Sequence, residues 1–209
     1  MSEYTLYAAP NTYALSSHSI LEEVKADYKV HWVEIFTDHP EPNFKSISPH
    51  VRSPALMTPN GGIFETGAIA MYLGEQFPEF DLIIKPEDPR RGAFLQWFYY
   101  LGTTLQPDVM IQFHPEFYIQ KNCNPSSLLK ASSSRLTKVF EILDNVLQKG
   151  PFFFGQQLTI IDFLLAMQTT WPEIFPNGIK QYRNLYKHMR VITERSTVQK
   201  ILNSHKIRE

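Results

Sequence analysis

The chain is predicted to be an α/β unit followed by an all-helical unit, and three features of the sequence carry this prediction. Strand-like and helix-like segments alternate through about the first 80 residues in the order β-α-β-(α)-β-β-α, and no strand signal follows them. A short stretch at residues 81–88, acidic and broken by proline, reads as a linker. The charge also divides there. Residues 1–84 hold 4 basic and 11 acidic side chains, a net of −7, while residues 85–209 hold 16 basic and 10 acidic, a net of +6. The expected division is therefore 1–80 for the first unit, 81–88 for the linker and 89–209 for the second unit.

Each element follows from its residues. Residues 4–8 (Tyr-Thr-Leu-Tyr-Ala) read as a short strand that ends in the turn cluster Ala9-Pro10-Asn11. Residues 15–26 read as a helix with Ile20, Leu21 and Val24 on one face. Residues 30–36 are β-rich and predict a second strand, parallel to the first if the helix is a crossover. Residues 38–49 contain three prolines and predict an irregular segment with a short helix. Residues 55–57 and 63–64 flank Pro59-Asn60-Gly61-Gly62 and predict a hairpin, and residues 66–77 predict a helix stopped by Pro78. Beyond the linker, residues 89–118 form a long helical stretch rich in aromatics, with Pro107 as a possible kink. Residues 126–148 place Leu136, Val139, Phe140, Leu143 and Leu147 at helical period. Further helices are expected at 159–171, 180–193 and 196–204.

Composition excludes several classes of protein. With 43 % hydrophobic and 13 % aromatic residues, the chain is not wholly disordered, and 209 residues suffice to bury a core without staples. A single cysteine, Cys123, permits no intramolecular disulfide and no CxxC motif, which fits a reducing compartment. Glu3 stands where a secretory signal would be basic. Residues 4–21 lack Asp, Glu, Lys and Arg, but Pro10, Asn11, Ser16, Ser17 and His18 interrupt the run, so it is not a membrane span. The expectation is a cytoplasmic protein with no membrane partner. Lys180, Arg183, Lys187 and Arg190 fall at helical spacing and read as a solvated helix face, not as a nucleic-acid surface. No His, Asp or Glu cluster has the spacing of a metal site.

Three motifs then point the same way. Ser53-Pro54-Ala55-Leu56 lies just before the predicted hairpin. Phe64-Glu65-Thr66-Gly67-Ala68-Ile69-Ala70-Met71-Tyr72-Leu73 begins a helix with an acidic residue followed by a hydroxyl. Leu158-Thr159-Ile160-Ile161-Asp162-Phe163 has the form of a capping box, with Thr159 and Asp162 three apart. In this order and at these distances, the motifs resemble those of the cytosolic glutathione transferases, over essentially the whole chain and in particular the bacterial Beta- and Nu-like members. The resemblance implies a thioredoxin-like N-terminal domain and an all-helical C-terminal domain. It also implies a cis peptide bond before Pro54, with the backbone of Ser53 (Val or Ile is usual there) holding the cysteinyl part of glutathione. By the same resemblance Glu65 meets the α-ammonium of glutathione, and the Thr66 hydroxyl and N–H hold the γ-glutamyl carboxylate at a positive helix end. Thr66 as a plain helix N-cap is the competing reading. The capping box implies a role in folding, not in chemistry.

The loop after the first strand departs from the family. There the resemblance implies a hydroxyl or a cysteine facing the glutathione sulfur and favouring its thiolate. An ungapped match to the Beta pattern puts Tyr13 at the cysteine position and Ala14 at the neighbouring serine. Serine-type classes put Thr12 at the serine. The Nu-like pattern puts Asn11 at the threonine and Tyr13 at the asparagine. The candidate donors are therefore Tyr13, Thr12 and Asn11, in that order, and packing of Tyr13 without a role at sulfur is the alternative. Arg52 is a candidate for the glycyl carboxylate, while His50 is a weaker one. Tyr7 reads as core, His18 as a structural helix residue and Cys123 as incidental.

The resemblance implies a homodimeric enzyme that binds glutathione as co-substrate, stabilises its thiolate and adds it to a small apolar electrophile. It implies an acceptor site between the units, with part of the stripe Phe94, Trp97, Phe98, Tyr100 and Thr104 as lining and part as core. Two other expectations stand beside it: a glutathione-dependent reductase or peroxidase, and a non-catalytic glutathione-binding carrier or regulator.

Overall fold

The computed structural model describes residues 3–206. Two compact units share them, one formed by residues up to 83 together with 192 onward, the other by residues 84–191.

The first unit is built on a four-stranded sheet. Strand β1 (Tyr4–Ala8) leads into helix α1 (Ala14–Glu23) and strand β2 (Tyr28–Trp32). A short helix α2 (Pro42–Ile47) follows, with Pro42 in its first turn, where a missing N–H costs nothing. Strands β3 (Ala55–Thr58) and β4 (Gly61–Phe64) form the hairpin, and helix α3 (Thr66–Gln76) ends just before Pro78. The strand order is β2-β1-β3-β4, with β1 and β2 parallel and the other pairs antiparallel. The crossover reading of α1 therefore holds.

β2 is earlier and shorter than the predicted 30–36. Its register pairs Tyr28 with Tyr4, so β1 is used up at Ala8 opposite Trp32, and the Val33 N–H makes the last bond to the Ala8 carbonyl at 2.9 Å. Residues 34–36 have no β1 residue opposite them, and Phe36 is 68 % exposed.

Leu6, Leu56, Ile20, Leu21, Ile69 and Leu73 are fully buried in this unit. A second cluster of Val33, Phe44, Ile47 and Ala55 forms beside them, and Tyr7 packs against it with its ring stacked on Phe44 at 5.8 Å. Tyr7 is thus a packing residue, as expected. Gly62 lies so close to Ile47 that an added Cβ would sit 2.6 Å from its Cγ2.

The last helix, α9 (Ser196–Lys206), packs on α1. Glu23 of α1 pairs with Arg195 and accepts the Thr197 hydroxyl at 2.6 Å, while Glu22 pairs with Lys200 and accepts the Tyr28 hydroxyl at 2.7 Å. His18 Nδ1 lies 3.2 Å from His205 Nε2, and both rings are buried. Residues 192–206 therefore pack with the first unit, whereas the sequence alone assigns everything after residue 88 to the second.

The second unit opens with α4 (Arg91–Tyr100), and α5 (Gln106–Phe113) continues it. Between them residues Leu101–Leu105 wind as a π-helix, with the Gln106 N–H bonded to the Leu101 carbonyl. The sequence suggests a kink at Pro107, and the chain meets the proline with this change of winding. A proline ring clashes with the carbonyl four residues back, and widening the turn relieves the clash without breaking the helix. Asp108 is buried and receives a two-pronged contact from Arg135 on α6 (Ser126–Val146), at 2.9 and 2.5 Å. The α6 core face is Leu136, Val139, Phe140 and Leu143, as its period predicts.

Helix α7 (Ile160–Thr169) is buried along its whole length. Its capping box is complete: the Asp162 carboxylate accepts the Thr159 N–H at 2.7 Å. The other oxygen of Asp162 accepts the Phe153 N–H at 2.7 Å and lies 2.8 Å from His188 Nε2 on α8 (Arg183–Thr193). One buried carboxylate thus caps one helix and ties it to a loop and a second helix. Among the described residues no helix is long and apolar enough to cross a membrane.

Candidate functional site

The register of the sheet gathers the sequence-predicted residues at one end of it. Ala55 pairs with both Tyr7 and Phe64. The loop after β1, the turn before β3 and the helix start after β4 therefore leave the sheet on the same side. These three segments hold Asn11-Thr12-Tyr13, Arg52-Ser53-Pro54 and Glu65-Thr66.

Hydrogen bonds join the first two segments. Ser53 Oγ accepts the Ala9 N–H at 2.8 Å and lies 3.2 Å from Thr12 Oγ1. Thr12 Oγ1 donates to the Ala9 carbonyl at 2.8 Å and accepts the Ala14 N–H at 3.3 Å. The Ser53–Pro54 bond is cis, as the resemblance implies. Before it, Ser48 Oγ accepts the Arg52 N–H at 3.0 Å and donates to the Arg52 carbonyl at 2.8 Å, which fixes the backbone of an otherwise exposed residue.

Each segment also carries one non-glycine residue with positive φ: Asn11 at 52°, Val51 at 53° and Glu65 at 76°. Such backbone costs on the order of 1–3 kcal/mol per residue and clusters where function demands a shape. Val51 and Glu65 have no special tolerance for it.

At the third segment, Glu65 is the N-cap of α3 and Thr66 its first helical residue, so Thr66 is not the N-cap. The Glu65 side chain does not bond back to the first turn. The first-turn N–H groups of a helix have no partner within it, and the positive end of the helix dipole lies behind them. Thr66 is 7 % exposed and Glu65 is exposed. The arrangement suits a carboxylate over the helix end and an ammonium beside Glu65.

The three loop candidates differ in access. Asn11 is exposed, Thr12 half-buried, and Tyr13 only 8 % exposed at the N-cap of α1. Two participants are not evident from the sequence. Ser53 was expected to contribute only its backbone, yet its side chain joins two segments 41 residues apart. Ser48 is the other, and only its spacing of four from Arg52 hints at the brace. His50 is exposed, and His18 lies inside the α1–α9 packing, so it is structural as expected. Cys123 is exposed. Among the described residues no group of three or more His, Cys, Asp or Glu is placed to hold a metal ion.

Comparison with known proteins agrees with this geometry. Residues 2–75 match the family "Glutathione S-transferase, N-terminal domain", and residues 107–196 match "Glutathione S-transferase, C-terminal domain". The chain belongs to the glutathione S-transferase family. It is 23 % identical to glutathione S-transferase GstA of Escherichia coli O157:H7 over 202 residues, covering 95 % of this chain and 97 % of that protein. It is 27 % identical to glutathione S-transferase D6 of Drosophila melanogaster over 198 residues, covering 92 % and 88 %. Its fold matches that of a sphingomonad glutathione S-transferase complexed with glutathione, with a TM-score of 0.84, 21 % identity and coverage of 97 % and 99 %.

Proposed function

We propose that this family member binds reduced glutathione where β1, β3 and β4 converge, stabilises its thiolate and transfers it to a small apolar electrophile. The observation that carries the reading is the start of α3 at Glu65-Thr66, on the same side of the sheet as the Ser53–Pro54 turn and the Asn11-Thr12-Tyr13 loop. The sphingomonad relative was crystallised with glutathione. In this reading the Ser53 backbone N–H and C=O take the cysteinyl unit as a strand-like partner. Thr66 and the α3 amides hold the γ-glutamyl carboxylate, Glu65 holds the ammonium, and Arg52 meets the glycyl carboxylate. Tyr13 is the first candidate donor to sulfur, followed by Thr12 and Asn11.

The chemistry then needs little else. A donor at sulfur and the positive end of α1 lower the thiol pKa from its ordinary range near 8.5, which raises the thiolate fraction at neutral pH. Orientation against the electrophile supplies the remainder. The aromatic face of α4 supports an apolar acceptor, since Phe94 is buried while Trp97, Phe98 and Tyr100 are half-buried within their unit. The proposal includes the family's homodimer and a cytoplasmic location.

An ultraviolet difference titration with glutathione, run beside calorimetry, tests the reading. A saturable thiolate absorbance near neutral pH is the expected result, and Tyr13→Phe is expected to lower turnover while leaving binding in place. Binding without thiolate favours the non-catalytic carrier, and its support is the burial of Tyr13. Absence of binding overturns the reading.

A further inference from the structure

The hydroxyl of Ser53 does something its backbone role does not require. Each hydroxyl has one hydrogen to give. The Ala9 carbonyl can only accept, so the Thr12 hydrogen lies on it at 2.8 Å. In the 3.2 Å contact between Thr12 and Ser53, the hydrogen must then come from Ser53. Ser53 itself accepts the Ala9 N–H. The bonds close a ring: Ala9 N–H to Ser53, Ser53 O–H to Thr12, Thr12 O–H back to the Ala9 carbonyl. The Ala14 N–H at the start of α1 is the second donor to Thr12.

This ring has two consequences. It fastens the loop that leads into α1 to the turn that begins β3, so the position of that loop depends on a side chain 41 residues away. It also leaves Thr12 with no hydrogen for anything outside the ring. A valine or isoleucine, the usual residue at this position by resemblance, cannot make it.

We propose that Ser53 is a positioning residue, whose hydroxyl holds the Asn11-Thr12-Tyr13 loop in place and commits the Thr12 hydrogen to Ala9, so that Thr12 braces the loop and the sulfur takes its donor from elsewhere on it. This rests on the glutathione reading above. It narrows the side-chain donors to Tyr13 and Asn11, with Thr12 acting only through the loop.

The test compares Ser53→Ala, Ser53→Thr, Thr12→Val and the Ser53→Ala/Thr12→Val double variant, with four readouts. These are exchange of the Ala9 amide in the unliganded protein, the pH midpoint of bound-thiolate absorbance, KM for glutathione, and kcat. In Ser53→Ala the Ala9 amide should exchange about five- to tenfold faster, as expected for the loss of one hydrogen bond. The thiolate midpoint should rise and kcat fall, with KM changing less than about twofold because the backbone of residue 53 is intact. Ser53→Thr keeps a hydroxyl and should restore both. Thr12→Val leaves the Ala9 N–H its Ser53 acceptor but should match Ser53→Ala in thiolate midpoint and kcat, and the double variant should be no worse than either in these, because both break one ring. If Ser53→Ala binds glutathione with an unchanged midpoint and kcat, the inference fails while the glutathione reading stands. A Thr12→Val loss that far exceeds Ser53→Ala and adds to it makes Thr12 the direct donor and also overturns the inference. Should a variant unfold, the amide exchange in Ser53→Thr still decides: rapid exchange there means the hydroxyl makes no ring. If the unsubstituted protein does not bind glutathione, the reading and the inference fall together.

Discussion

Mild acid should weaken the first unit through the histidine pair between α1 and α9. His18 is 4 % exposed and His205 1 %, with nitrogens 3.2 Å apart. The contact needs one ring to donate and the other to accept, and two neutral imidazoles do this without charge. Burial, followed by the proximity of His205, lowers the His18 pKa from 6.5 to about 3, and burial lowers that of His205 to about 4. Of the charged groups around them, Glu22 favours protonated His18 and Lys200 opposes it. Glu22 itself stays ionised: burial pushes its pKa up, but the hydrogen bonds from Lys200 and Tyr28 outweigh this and hold it below its ordinary value. Both histidines are depressed in the folded state, so the unfolded chain takes up protons first as the pH falls. Their contribution is present above pH 6.5 and is lost below it, until the folded rings titrate near 4 and 3.

Each histidine gives a slope that rises to about 1.4 kcal/mol per pH unit below its unfolded pKa, so together they remove about 3 kcal/mol between pH 6.5 and 5. That is a large part of an ordinary folding free energy of about 5–15 kcal/mol. Urea denaturation at a series of pH values measures this loss directly. His205→Gln should roughly halve the slope between pH 6.5 and 5. A stability that is flat over this interval, or a slope unchanged in His205→Gln, would refute the reasoning.

Two further predictions concern the packing. Asp162→Ala leaves the Thr159 and Phe153 N–H groups and His188 without their shared buried acceptor, and should cost about 3–5 kcal/mol in thermal or urea unfolding. Asp162→Asn should cost less. Gly62→Ala forces its methyl against Ile47 and should destabilise by about 1–3 kcal/mol. Adding Ile47→Ala should recover part of this loss, and a double-mutant cycle without coupling would disprove the contact.

The features legible in the sequence were those written in neighbouring residues. The α3 start at Glu65-Thr66, the Thr159–Asp162 capping box and the apolar period of α6 each lie within a few turns of chain. The prolines served as well: Pro54 marks the cis bond and Pro107 the change of winding before α5. Features set by partners far along the chain were not legible. The end of β2 depends on where β1 stops, which nothing in residues 30–36 reveals. The Ser53 ring and the His18–His205 contact join residues 41 and 187 positions apart. The candidate site is legible as a set of segments, but the division of labour among Asn11, Thr12 and Tyr13 depends on which hydrogens are already committed. Only the three-dimensional arrangement contains that information.

The return of α9 to α1 has a consequence for synthesis. A ribosome completes the chain in order, and residues 84–191 must be made before α9 begins at Ser196. At about 5–20 residues per second, α1 exists for roughly ten to thirty-five seconds before its last partner is translated. During that interval the face carrying His18, and the carboxylates of Glu22 and Glu23, lack Arg195, Thr197, Lys200 and His205. The N-terminal unit is therefore the first to be started and among the last to be completed. A nascent chain arrested before residue 192 should expose this face to proteases and chaperones, and release of the full-length chain should protect it.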